Sequence, residues 1–177
     1  FDFTGLCFIA DPGQLFRFRT DGLGGCVFLN ESEDDVTSSI SGSCHASVRP
    51  TTLSGTVTLP YKARTYKGGT LRFRAAGTTG KFHVVLQLGL EDYMRGLSPV
   101  PESWPQESLR AQAVVSRSLA ARTAADAGSE SNFDTPRREK CHCHLTDDDS
   151  LQVFRGWTGQ VGHPNWVEAV EATSQLI

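Results

Sequence analysis

No apolar run in this chain approaches the roughly 20 residues that a membrane-crossing helix needs. A basic excess is also missing. The 17 Lys and Arg residues face 20 Asp and Glu, for a formal net charge of -3, whereas a nucleic-acid surface would show the opposite balance. There is no phosphate-cradling P-loop, no dinucleotide-binding glycine fingerprint, no HExxH zinc motif and no GxSxG nucleophile elbow. Internal repeats and low-complexity tracts are absent as well. Neither nucleic acid nor a transmembrane segment is therefore expected, and no cofactor suggests itself. What remains is a 177-residue chain with 38% hydrophobic and 21% charged residues, which is the balance of a folded domain, alone or with a small extra lobe.

The chain opens on Phe1, which implies either a removed leader or an excerpt. Its last residues, Glu171 to Ile177, read as the middle of a structure, so a continuation or a completing partner is expected. The five cysteines are Cys7, Cys26, Cys44, Cys141 and Cys143. Glycine- and serine-rich surroundings favour export with one or two disulfides over buried free thiols. Cys7–Cys26 and Cys26–Cys44 are both open pairings for the first three.

Period-two patterns mark strands in the first half. Phe16 and Phe18 alternate with Arg17 and Arg19, and Leu71 and Phe73 with Arg72 and Arg74. Leu53 to Leu59, Cys26 to Leu29 and Lys81 to Leu88 are further strand candidates, with a hairpin-type turn at Lys67–Gly69 and a further turn at Gly77–Gly80. Asn30 to Ser43 reads as an acidic, serine-rich loop. His83, inside a strand, suits a satisfied surface or core residue better than a ligand.

Helical spacing begins after Gly89, with Leu90, Tyr93, Met94 and Leu97 on one face. A long helix is expected over about 104–126, started by a capping box of Ser103 and Gln106 and stopped at Gly128. It carries two apolar stripes: Leu109, Ala113, Ser116, Ala120 and Thr123, then Ala111, Val114, Val115 and Leu119. Both are expected to be buried. Gln112, Ser116 and Arg117 would then be polar groups on a buried rod, needing a ligand or a network. Residues 126–150 read as loop, Leu151 to Phe154 as a short strand, Gly156 to Gly159 as a turn, and Pro164 as the start of a final helix packed through Trp166, Val167, Val170 and Thr173. The fold class is α+β: a β-rich N-terminal part packed around a central buried helix, with a short C-terminal helix. Residues 1–50 form a cysteine-bearing segment and 51–177 the main domain.

Cys141-His-Cys-His144 is the most conspicuous cluster. Its spacing is tighter than zinc pairs use, and no second pair follows, so a Cys-x-Cys disulfide or a bridge elsewhere is the better reading than zinc. Asp147 to Asp149 lack the spacing and glycine of a calcium loop. Glu91, Asp92, Glu102 and Glu107 lie near the long helix's start, where carboxylates suit either glycoside chemistry or a helix dipole.

Several stretches, in order, resemble the SpoIID/LytB family of bacterial cell-wall proteins. They are Tyr66 to Arg72, Leu86 to Gly96 (LQLGLEDYMRG), Ser103 to Arg117 (SWPQESLRAQAVVSR), Asp147 to Gly156 ending in QVFRG, and Trp166 to Thr173. The resemblance spans about residues 60–177, the family domain continuing beyond this chain's end. It implies a peptidoglycan glycan-strand groove of lytic transglycosylase ancestry, in which one carboxyl acts as acid and then base. It also implies an extracytoplasmic, cell-envelope protein. The family glutamate lies five residues before the Trp of SWP, where this chain has Pro99. Glu102 is the sole nearby substitute as a catalytic acid, so activity is expected to be weak or absent. Leu145 and Leu151 occupy the positions of the family's zinc-binding cysteines, so no metal is carried over. Gln112, Ser116, Arg117 and Gln152 are the candidate substrate-binding residues, with a structural ion pair as the equal alternative for Arg117. The competing function is a non-catalytic structural or accessory subunit, whose partners would be other envelope or extracellular proteins.

Overall fold

The computed structural model describes residues 10–20, 26–36, 45–52, 54–76, 81–97, 99–148 and 151–177. Seven strands and five helices follow one another among them: β1 (Arg17–Thr20), β2 (Cys26–Leu29), β3 (His45–Val48), β4 (Thr56–Leu59), β5 (Arg64–Lys67), β6 (Thr70–Ala75), β7 (Phe82–Gln87), α1 (Leu90–Arg95), α2 (Gln106–Ala127), α3 (Thr135–Lys140), α4 (Gly156–Gly162) and α5 (Pro164–Ala172). Strands fill the N-terminal half and helices the C-terminal half, as the α+β reading requires. The chain forms two compact units, Phe1–Ser47 with Arg72–Val84, and Val48–Leu71 with Val85–Ile177.

In the first unit β1 and β2 pair antiparallel, with Phe18 opposite Phe28. The alternation read from the sequence sends Phe16 and Phe18 to one face, where Phe16 stacks on Phe28 at 5.2 Å and Phe18 meets Phe82 at 4.5 Å and Phe73 at 5.9 Å. Offset and edge contacts of this kind add to simple burial. Cys26 is disulfide-bonded. Cys7 and Cys44 lie outside the described residues, as do Leu53 and the Gly77–Gly80 turn. His83 has its pKa lowered, by burial first and then by the Arg74 charge.

Strand β6 lies between β3 and β7 in a three-stranded sheet, whereas β4 and β5 form a separate antiparallel pair. Lys67–Gly69 is thus a corner between two sheets and not a hairpin. Gly68 and Gly69 both hold positive φ, 72° and 69°. A Cβ on Gly69 would sit 2.6 Å from the Gln87 carbonyl, so β7 backbone occupies the space a side chain would need.

The second unit is organised by α2. Its buried stripe is Leu109, Ala113, Ser116, Arg117 and Ala120. The other apolar stripe faces outward: Val115 is 60% and Leu119 43% exposed. Trp166, Ala169 and Val170 of α5 are buried, and the Trp166 indole donates to the Met94 carbonyl at 2.9 Å. Further expectations change here. The long helix starts at Gln106 with Pro105 as its N-cap and no side-chain cap, so the Ser103–Gln106 capping box does not form. Residues 135–140 are a helix, started by the Asp134 carboxylate accepting from the Arg137 amide. Residues 151–154 make only an isolated bridge, Phe154 to Leu97, and Gly156 to Gly162 is helical.

Close approach explains two glycines there. A Cβ on Gly96 would come within 2.3 Å of the Phe154 ring, and one on Gly159 within 3.0 Å of the Gly96 carbonyl. Phe154 is itself fixed between Tyr93 (5.3 Å) and Tyr66 (6.2 Å) in a stacked ladder. Gly96→Ala therefore overpacks this ladder and is expected to cost about 1–3 kcal/mol in urea unfolding. A loss below about 0.5 kcal/mol would mean that the ladder yields freely.

Candidate functional site

Three of the sequence-derived candidates come together. Gln112 Nε2 donates to Ser116 Oγ at 3.2 Å, one helical turn along α2. Gln152 Nε2 donates to the Ser116 carbonyl at a long 3.5 Å, and the Tyr93 hydroxyl donates to Gln152 Oε1 at 3.2 Å. The result is a polar run, Gln112–Ser116–Gln152–Tyr93, linking α2, α1 and the segment before α4. Ser116 is fully buried and Gln152 nearly so, while Gln112 is half-buried. Buried amides and hydroxyls require such partners. Gln112 Oε1, at the open end, has no protein partner among the described residues.

Tyr93 and Asp147 belong to this neighbourhood and were not among the candidate binding residues read from the sequence. Tyr93 has its pKa pushed up to about 12, by burial first and then by the Asp147 charge; Tyr66 is raised by the same two causes. The Asp147 carboxylate accepts from the Phe154 amide at 2.8 Å and so closes the loop that carries Gln152. The signals were present: Tyr93 sits inside LEDYMR, and Asp147 precedes Gln152 by five residues.

Arg117 lies elsewhere. It is 1% exposed and spends every donor within the protein. Nε and Nη2 grip Glu91 at 2.8 and 3.0 Å, Nη2 also reaches the Val170 carbonyl at 3.0 Å, and Nη1 reaches the Leu176 carbonyl at 3.1 Å and Thr173 Oγ1 at 3.4 Å. This is the ion-pair alternative, realised with a carboxylate on α1.

Glu102 is apart again. Its carboxylate accepts from the backbone N–H groups of Asn165 and, at 3.3 Å, Trp166, while its carbonyl accepts from Asn165 Nδ2. It caps the N-terminus of α5, not the helix that follows it in sequence. Pro99 is exposed.

Cys141 and Cys143 are joined to each other. Closing a three-residue loop removes about 1.6 kcal/mol of chain entropy, against about 3 for a 15-residue loop. His142 is 3.1 Å from Glu130 Oε1, and His144 Nε2 meets the Gly128 carbonyl at 2.9 Å. No group of three metal-ligating side chains occurs among the described residues.

A family model described as stage II sporulation protein, SpoIID, matches residues 78–177. The chain belongs to the SpoIID family. Residues 78–177 are thus a sporulation- and cell-wall-related domain, and the polar run lies wholly inside the matched SpoIID span. The resembling stretch at Tyr66 to Arg72 precedes it. No curated protein and no solved structure matches the chain. Among the described residues no helix is long and apolar enough to cross a membrane.

Two outcomes follow from this geometry. Glu91→Gln leaves the Arg117 charge buried without its counter-charge and is expected to cost about 3–5 kcal/mol, read by denaturant unfolding. A loss under about 1 kcal/mol would show that Thr173 and the two carbonyls suffice. Tyr93 has a folded pKa above its unfolded value of about 10, so the folded state holds this proton more tightly. Its contribution is complete below pH 10 and is lost as pH rises through about 12. Ultraviolet titration should show one tyrosine ionising near that value, missing in Tyr93→Phe; unchanged spectra in the variant would contradict the assignment.

Proposed function

We propose that this SpoIID-family domain binds the glycan strands of peptidoglycan in the bacterial cell envelope, outside the cytoplasm, through a groove that includes Gln112, Ser116 and Gln152. The observation that carries the reading is the unpartnered Gln112 Oε1 at the open end of a braced polar run. Sugar hydroxyls donate as well as accept, and an amide held by its own NH2 group is a fixed acceptor for them. Ser116 and Gln152 serve by holding that amide, and Arg117 has no donor left to share.

Cleavage is a separate matter. Pro99 has no proton to give. Glu102, the candidate acid, has its two carboxylate oxygens turned to the amides of Asn165 and Trp166. Protonated, it would set its own O–H against an N–H. The lytic transglycosylase step, in which an acid protonates the glycosidic oxygen and the sugar's own hydroxyl closes the anhydro ring, has no free carboxylic acid there. The engaged Glu102 equally favours a second reading, a structural or accessory subunit of an extracellular assembly.

Sedimentation with purified sacculi separates the two readings. The chain should be retained at low salt, and Gln112→Ala should weaken retention about 3- to 10-fold, the value of one hydrogen bond. No retention would favour the accessory role. Mass spectrometry of the digest should find no anhydro-muropeptides. Their appearance, with loss in Glu102→Gln, would make Glu102 the acid after all.

A further inference from the structure

We propose that the Cys141–Cys143 disulfide is a thiol–disulfide exchange site, its Cys141 half lining the cleft beside α3. This is independent of glycan binding. The cross-link closes too short a loop to serve the fold as a staple, and small accessible disulfides are the labile ones. Both cysteines are partly exposed. Between them His142 holds φ at +52°, the left-handed region, which a side chain other than glycine's occupies at a cost. Opening the disulfide lets that residue relax.

The cleft supplies the chemistry. It encloses about 340 Å³, and its walls include Arg137, Lys140, Cys141 and His144. Cations beside a sulfur favour the thiolate. The Cys143 amide also donates to Cys141 Sγ at 3.2 Å. Two features oppose them: Asp134 lies in the same wall, and Cys141 stands at the carbonyl end of α3. The Asp134 Oδ1 is engaged by the Arg137 amide at 2.9 Å, and α3 has only six residues, so the cations and the amide dominate. Cys141 is therefore the better leaving sulfur.

The exchange balances as follows. A thiolate of the incoming dithiol attacks Cys143 Sγ in line with the S–S bond. A mixed disulfide forms, and Cys141 leaves as a thiolate facing the cleft. The second thiol of the dithiol, deprotonated, attacks its own partner sulfur and releases Cys143. The dithiol is oxidised to a disulfide, and its two protons end on Cys141 and Cys143. The disulfide at Cys26 shows that the chain is suited to an oxidising compartment, where such a reductant must be delivered.

The test uses the whole folded chain in graded dithiothreitol buffers, quenched with iodoacetamide and mapped by mass spectrometry. Cys141 and Cys143 should be alkylated at a reducing ratio about tenfold milder than Cys26 requires, with the circular dichroism spectrum kept. In the reduced protein at pH 7, Cys141 should react about fivefold faster than Cys143, and Lys140→Gln, at an exposed side chain, should narrow that gap. Reduction only in step with Cys26 or with unfolding would overturn the proposal. Equal or reversed alkylation rates, or a gap untouched by Lys140→Gln, would overturn it too.

Discussion

The helical half of this protein is arranged around one buried guanidinium. Arg117 sits on the packed face of α2, where an apolar residue would ordinarily be found, and its five N–H groups hold α1 through Glu91 and the end of α5 through two carbonyls and Thr173. A buried charge is tolerated only when paired and fully hydrogen-bonded, so these partners are obligatory. That requirement fixes the relative placement of three helices more narrowly than apolar contact does. Leu109, Ala113 and Ala120 can slide against a neighbour at small cost, whereas a planar fork with five directed donors cannot.

The consequence is clearest at α5, a helix of nine residues that would not persist alone in water. Its N-terminal amides meet the Glu102 carboxylate, and the carbonyls of Val170, in its last turn, and Leu176, past its end, meet Arg117. Each charge opposes the matching end of the helix dipole. Both come from segments more than 50 residues away in sequence, 63 for Glu102 and 53 for Arg117 to Val170. The Trp166 indole, bonded to the Met94 carbonyl, fixes rotation about the axis. Glu102 thus has a structural use that removing a charge would disturb.

Periodicity made much of this legible. The first four residues of the stripe Leu109, Ala113, Ser116, Ala120 and Thr123 name the buried face of α2, and Phe16 and Phe18 the inner face at β1, because both follow from where a side chain must point. Burial on the second stripe was not decided by apolarity: Val115 and Leu119 are as hydrophobic as their neighbours, and nothing among the described residues covers them. The capping box failed because Ser103 and Gln106 satisfy a local rule that Pro105 at the N-cap overrides. Gly156 to Gly162 reads as a turn because Gly-x-x-Gly has poor helix propensity. It is helical because two of its glycines lie against the Gly96 carbonyl and the Tyr66 ring, an intimacy that no single-sequence pattern encodes.

The polar run was half legible for the same reason. Gln112 and Ser116 are one turn apart, so their meeting was inherent in the helix. Their link to Gln152 was not, since it depends on Asp147 closing its loop onto the Phe154 amide and on Gly96 leaving room for the Phe154 ring. The same segment passes the disulfide cleft, where Leu151 and Thr146 form part of the wall together with Thr123 of α2. Thr123 lies seven residues from Ser116, about 10 Å along the helix. One rigid helix thereby spaces the polar run from the cleft, and Leu151 and Gln152, adjacent in the chain, belong to one each. The fold's central constraint, the Arg117 fork, keeps that helix in register with α1 and α5, and through Tyr93 of α1 with the polar run. The polar run is thus held from two sides, by Tyr93 on a pinned helix and by Gln152 on a loop that Asp147 ties down.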